Sequence, residues 1–192
     1  MRTIGRVISV VTMGFFMAIT LPRHDCLAGT LKGITMPDAV TVAGKTLVLN
    51  GMGIRQATIL KVKVYVMGLY LEQKSSDADA IVNSPQTKRL VVHYIRELKQ
   101  ADVLKALKES FTANNTTLDN VKAEYEKFLG YVSDMKKDDE MVLDFVENRV
   151  DIQVAGQKKE PITSDAFQKT LLRVWLGPKP TYPPLQAGIL GK

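Results

Sequence analysis

One arginine, set behind a Gly-x-Gly pair and ahead of a long β-prone run, constrains this chain more than any other feature. Gly51-Met-Gly53-Ile-Arg55 leads through Gln56-Ala-Thr-Ile-Leu-Lys61 into Val62-Lys-Val-Tyr-Val-Met-Gly68-Leu-Tyr-Leu-Glu72. Val62, Val64, Tyr65, Val66 and Tyr70 are branched or aromatic residues that suit a pleated, half-buried surface. The guanidinium keeps its charge at any ordinary pH, so at the head of such a strand it needs either solvent or an anionic partner. The pattern predicts a long strand from Arg55 to Leu71, closed by Lys74-Ser-Ser-Asp77.

The first 28 residues read as a targeting signal. Arg2 and Arg6 give a basic start, and the apolar run Val7–Leu21 ends before the small residues that flank Gly29. That run is about fifteen residues, short of the about twenty a membrane span needs, and no second one follows. The residues before Cys26 are Arg-His-Asp, unlike the small apolar residues of a lipoprotein signal. Residues 1–28 are therefore expected to be a signal peptide and 29–192 the mature domain, exported in soluble form to a bacterial periplasm, with no stable membrane span after cleavage. Cleavage after Ala28 removes Cys26, the chain's one cysteine. The mature protein then has neither a disulfide nor a thiol, and its core alone must hold it.

Losing three arginines and one aspartate with the leader lowers the formal charge of +6 by two. That mild surplus, with no long basic run and no aromatics interleaved among arginines, excludes a nucleic-acid surface.

The rest of the chain alternates between two periods. Ala39–Val42 and Lys45–Leu49 predict a hairpin across Ala43-Gly44. Ser76 is expected to cap a short helix through Ile81 and Val82, and Lys88–Arg96 to form another strand. Leu104, Leu107 and Phe111 recur at helical spacing. So do Leu118, Val121, Tyr125, Phe128, Leu129 and Val132, with Thr116 and Asp119 as a capping box and Asn114-Asn115 as the break between two helices. Met141–Val146 and Val150–Val154 predict a second hairpin. Thr163-Ser-Asp165 opens a third helix with Phe167, Leu171, Leu172, Trp175 and Leu176 on its apolar side, stopped by Gly177-Pro178. A proline-rich tail follows. Strands, two helices, strands, helix is an α+β order: an antiparallel sheet with helices gathered on one face.

Gly51-x-Gly-x-Arg55 leading to Gly68-Leu-Tyr-Leu-Glu72 resembles the chalcone isomerase family. Ile34-x-Met-Pro-Asp38, Gly44-Lys45-x-Leu-Val-Leu-Asn-Gly51, Phe167–Gly177 and Leu185–Gly191 look like its bacterial exported members. The resemblance spans the mature chain and implies that family's open-faced β-sandwich, a large antiparallel sheet with a helical layer on one face and a cleft between. A shared fold does not carry a shared reaction.

In the plant enzymes an arginine at the place of Arg55 sits in the substrate cleft and stabilises negative charge as a phenolate adds to a conjugated double bond, work suited to an oriented, permanent cation. An arginine near a strand start is otherwise an exposed ion-pair partner; the glycine frame assigns Arg55 to the cleft. The resemblance places Tyr65 where the enzymes carry a threonine, either as a cleft hydrogen-bond donor or as a core aromatic. Ten residues of straight strand would hold Arg55 and Tyr65 about 33 Å apart, so a bend or hairpin must lie between them. The enzymes' tyrosine and asparagine correspond to Asp102 and Glu109, read as helix-surface carboxylates, and this departure weighs against isomerase activity. Fatty-acid-binding members of the family hold a carboxylate with an arginine and a tyrosine, which Arg55 and Tyr65 match. Val62, Val64, Val66, Met67, Leu107, Phe111 and Phe128 are candidates for an apolar lining, or plain core.

Other chemistry lacks its parts. Gly51-Met-Gly53 has no third glycine and opens a strand, making it a poor phosphate motif. His93, the one histidine of the mature chain, is a packed or rim residue of a strand, and no metal cluster or cofactor motif is visible. The expected function is therefore binding of a small amphipathic anionic ligand, such as a fatty acid, in a cleft anchored by Arg55 with Tyr65. The alternatives are an intramolecular lyase acting on an unidentified conjugated substrate, with Arg55 as electrostatic catalyst, and a structural or partner-binding envelope protein.

Overall fold

The run from Arg55 to Leu71 is not one strand but parts of two, joined as a hairpin. A computed structural model describes residues 29–57 and 62–192; the leader expected over residues 1–28 lies outside the described residues. β1 (Gly29–Leu31) and β2 (Ile34–Met36) make a small hairpin. β3 (Ala39–Val42), β4 (Lys45–Ala57) and β5 (Val62–Leu71) begin the main sheet. β4 and β5 run antiparallel from Val48 opposite Leu71 to Ala57 opposite Val62. No Gly, Pro or Asn lies between Arg55 and Val62, so local sequence carried no sign that the two strands pair.

After these come α1 (Ala78–Asn83), β6 (Lys88–Tyr94), α2 (Gln100–Asn114), a 3-10 turn (Asp119–Val121) and α3 (Lys122–Leu129). β7 (Glu140–Val146), β8 (Arg149–Val154), β9 (Gln157–Lys158), β10 (Ile162–Thr163), α4 (Asp165–Leu176) and α5 (Pro183–Ile189) complete the chain. The main sheet is antiparallel in the order β10-β8-β7-β6-β5-β4-β3, with β9 also on β8. This is the expected α+β, open-faced sandwich.

The Ala43-Gly44 turn forms as expected, with φ of +48° and +78°, the paired positive values of a tight two-residue hairpin. Ser164 caps α4, its hydroxyl accepting from Phe167 N–H at 3.2 Å. One cap sits one residue beyond its expected place. Asp77, not Ser76, caps α1 by accepting from Ala80 N–H at 3.0 Å. Both side chains offer oxygen chemistry, and backbone direction selects between them. The expected Thr116–Asp119 capping box does not form. The 3-10 turn has Leu118 at its N-cap and no side-chain cap, and Thr117 instead accepts from Asp119 N–H at 3.1 Å in a local turn. The stripe from Leu118 to Val132 also breaks into the 3-10 turn and α3, because Val121 (φ −134°, ψ 22°) leaves helical geometry.

Strand alternation divides the apolar residues between two faces. On one face Leu69, Leu90, Leu143 and Ile152 belong to the main core with Phe111, Phe128, Phe167 and Leu171 of the helices. On the other, Met36, Leu47, Leu49, Val66 and Tyr70 form a smaller cluster to which the β1–β2 hairpin contributes.

α5 lies directly on the backbone of β4, and this explains the Gly-x-Gly pair. A Cβ on Gly51 would strike the Gly188 carbonyl and come within 2.8 Å of Gly191 N; one on Gly53 would strike the Leu185 carbonyl. The pair is thus a packing device, where only glycine lets two backbones approach so closely. Between the two strands' paired residues, Asn50 is an extra, bulged residue of β4. Its side chain donates to Ile189 O at 2.8 Å and Ser75 O at 3.0 Å and accepts from Ser75 N at 2.8 Å. It ties α5 to the sheet midway along the same strand that carries Arg55.

Candidate functional site

The hairpin puts Arg55 and Tyr65 directly opposite each other on β4 and β5. Tyr65 in turn stands opposite Tyr94 on β6. One row across three strands therefore carries a guanidinium and two phenols, at the sheet's usual spacing of about 4.8 Å per strand. Beyond Arg55 the register slips: Gln56 pairs with Lys63, leaving Val64 as an extra residue of β5. Such a bulge re-aims side chains, and Val64 and Tyr65, though neighbours in sequence, both line the same cavity.

That cavity lies between the end of the sheet, α2, α4 and the C-terminal segment, with a volume of about 180 Å³. A single water needs about 10–15 Å³ by a comparable measure, so there is room for many atoms. Val64, Val92, Leu107, Met141 and Val174 make its walls apolar, and Arg55, Asp102 and Tyr182 supply polar groups. The proline-rich stretch after α4 supplies one wall through Pro180, Thr181 and Tyr182. It is held by Asn114, which accepts from Lys179 N at 2.8 Å and donates to Lys179 O at 3.0 Å, and by a 2.6 Å bond between Ser110 and Thr181 hydroxyls.

Arg55 is half-buried and, among the described residues, has no carboxylate within ion-pair distance. It donates to the Gln56 carbonyl, and its guanidinium carbon lies 5.3 Å from the centre of the Tyr182 ring. The face of that ring attracts the cation, while the Tyr182 hydroxyl donates to Gln56 Oε1 at 2.7 Å. The arginine is held in place without being neutralised.

Trp175 Nε1–H donates to the Tyr65 hydroxyl at 3.3 Å. Indole can only donate, so Tyr65 is the acceptor and keeps its own proton for another partner. Burial raises the Tyr65 pKa, outweighing the lowering influences of the Trp175 hydrogen bond and the Arg55 charge. The phenol is therefore protonated at neutral pH. A cation and an O–H donor side by side on an apolar cavity have the chemistry to accept an oxyanion attached to an apolar body.

Of the expected lining, Val64 and Leu107 are on the cavity wall. Val66 faces the opposite side of the sheet, and Met67, Phe111 and Phe128 are core residues away from the wall. Val62, at the start of β5, is not on it either. Asp102 and Glu109 are both exposed on α2, as expected; Asp102 borders the cavity and Glu109 does not. His93 lies outside the cavity, with Nδ1 3.1 Å from Glu140 and Nε2 3.4 Å from Asp138. Sequence reasoning missed Trp175, Tyr94 and Tyr182. The first fell within an apolar helical stripe, the second within a strand and the third in a tail without period.

The family model described as chalcone isomerase-like matches residues 28–191. No curated protein matches the sequence. Among solved structures, the crystal structure of an Arabidopsis thaliana fatty-acid binding protein aligns with a TM-score of 0.66 and 11% identity, over 85% of this chain and 95% of that one. At that identity the likeness is one of fold.

Proposed function

Since this chain belongs to the chalcone isomerase-like family, we propose that it is a non-catalytic member that binds a small amphipathic acid, such as a fatty acid, with Arg55 as the anion anchor and Tyr65 as the hydrogen-bond donor. One observation carries this reading. Arg55 and Tyr65 are cross-strand partners on one apolar cavity, the first without a carboxylate partner among the described residues and the second with its proton unspent. The fatty-acid binding named for the Arabidopsis protein supports the same ligand class. A carboxylate would take charge-assisted bonds from the guanidinium and a further bond from the phenol, each contributing about 1.5–3 kcal/mol. The alkyl body would cover Val64, Leu107 and Val174. We further propose export to a bacterial periplasm after removal of residues 1–28. Amino-terminal sequencing of protein recovered from a periplasmic fraction should begin at Gly29, and recovery of an intact leader refutes cleavage.

Native mass spectrometry with lipid extraction, on wild type beside Arg55→Ala, tests the binding function. An acid that copurifies with the wild type and is depleted from the variant supports the carrier reading. Two empty preparations that also take up no added fatty acid reject it, and the isomerase and partner-binding readings then come forward.

A further inference from the structure

The row that begins with Arg55 and Tyr65 has a third member that a simple carboxylate does not use. Tyr94 is 3% exposed and lines the cavity. Among the described residues its hydroxyl makes no hydrogen bond, yet the one side-chain polar atom that is both sealed and without a hydrogen bond is His93 Nε2, which faces Asp138 at 3.4 Å. The Tyr94 hydroxyl therefore opens onto the cavity. Its ring meets that of Tyr65 edge-on, with centroids 5.8 Å apart and planes at 64°. Burial raises its pKa, and the nearby Tyr65 raises it further, so it too is a donor at neutral pH.

The row Arg55, Tyr65, Tyr94 crosses three strands, about 10 Å from first backbone to last. The two oxygens of a carboxylate are far closer together than that. A head group seated between Arg55 and Tyr65 leaves Tyr94 facing the next few carbons of the ligand. An unsubstituted alkyl chain there would cover the phenol and leave a desolvated O–H without a partner, which is costly. An oxygen on those carbons would meet it.

Resting on the carboxylate-binding reading above, we propose that Tyr94 is a specificity residue that hydrogen-bonds a second oxygen of the ligand, and that the site prefers a hydroxy- or oxo-substituted acid to a plain alkyl acid of equal length.

Titration calorimetry with dodecanoate and β-hydroxydodecanoate on wild type, Tyr94→Phe and Arg55→Ala tests this. Wild type is expected to bind the hydroxy acid about tenfold more tightly, and Tyr94→Phe to bind both acids alike. Equal wild-type affinities, or a preference that survives Tyr94→Phe, overturn the proposal while leaving the carboxylate reading intact, provided dodecanoate binds and Arg55→Ala weakens it. If neither acid binds wild type, the carboxylate reading falls and this proposal with it. A structure of wild type with β-hydroxydodecanoate gives a reading independent of any variant's folding. A ligand hydroxyl within hydrogen-bond reach of Tyr94 Oη is expected; an alkyl carbon in its place overturns the proposal.

Discussion

Trp175 on α4 reaches across to the sheet and donates its indole N–H to the hydroxyl of Tyr65 at 3.3 Å, joining residues 110 positions apart in sequence. The bond occupies an acceptor site of the phenol and leaves its proton for the cavity. In the proposed carboxylate site, Trp175 would thus orient the Tyr65 phenol from the cavity wall.

Replacing Trp175 with Phe keeps an aromatic in the core but frees the Tyr65 hydroxyl to rotate. Affinity for a fatty acid should fall by about threefold to tenfold. The smaller ring should also reduce stability by about 1–2 kcal/mol. Calorimetry together with chemical denaturation separates the two effects, and unchanged affinity would remove Trp175 from the site.

Arg55→Lys retains the charge and discards the forked donor geometry and the planar face against Tyr182. Acid binding should weaken by about tenfold, less than in Arg55→Ala. Equal losses in the two variants would mean that lysine cannot reach the head group. Equal affinity of Arg55→Lys and wild type would mean that charge alone suffices.

Gly53→Ala drives a methyl group into the Leu185 carbonyl, forcing α5 away from β4. Overpacking of this kind costs about 1–3 kcal/mol. Leu185 and Gln186 line the cavity, so ligand binding should fall along with the unfolding temperature. A variant of wild-type stability would show that α5 shifts freely.

Lys88 supplies a test by pH. It is 2% exposed, and its ammonium donates to Ser84 O at 2.7 Å and Gln86 O at 2.9 Å. Burial pushes its pKa from 10.5 down to about 8, with Glu72 opposing and Lys169 adding to the shift. Below pH 8 both folded and unfolded chains hold the proton, and the penalty of the buried charge is fully present. Between about 8 and 10.5 only the unfolded chain holds it, so this group's contribution to stability rises with pH across that window. Lys88→Met should lack that rise. Denaturation midpoints of both proteins from about pH 7 to about pH 11 check the sign; parallel profiles would contradict it.

Much of this architecture was legible because local chemistry repeats the global fold. Ala43-Gly44, Ser164 and Gly177-Pro178 mark boundaries with residues whose backbone or side-chain preferences act within a few positions. The apolar period of α4 and the alternation along β7 and β8 needed only a buried face to become a helix and two strands. Arg55 and Tyr65 could be named as partners from the resemblance, together with the requirement for a turn between them. The pairing of Ala57 with Val62 that closes the hairpin could not, since no Gly, Pro or Asn between Arg55 and Val62 marks it in the sequence.

The sequence by itself determined the element order, the α+β class, and the presence of one arginine framed by glycines ahead of a β-prone run. Those depend on periodicities and backbone preferences expressed over a turn or two of chain. Only the tertiary structure decided which side chains meet. Register sets Tyr94 beside Tyr65, a one-residue bulge turns Val64 to the same cavity, and the packing of α4 brings Trp175 to the phenol. It also assigned Gly51 and Gly53 to the seating of α5, a contact that lies more than a hundred residues away in the chain. Pairings over such separations leave no local signature, because they are selected by the total packing of a core and not by the residues on either side.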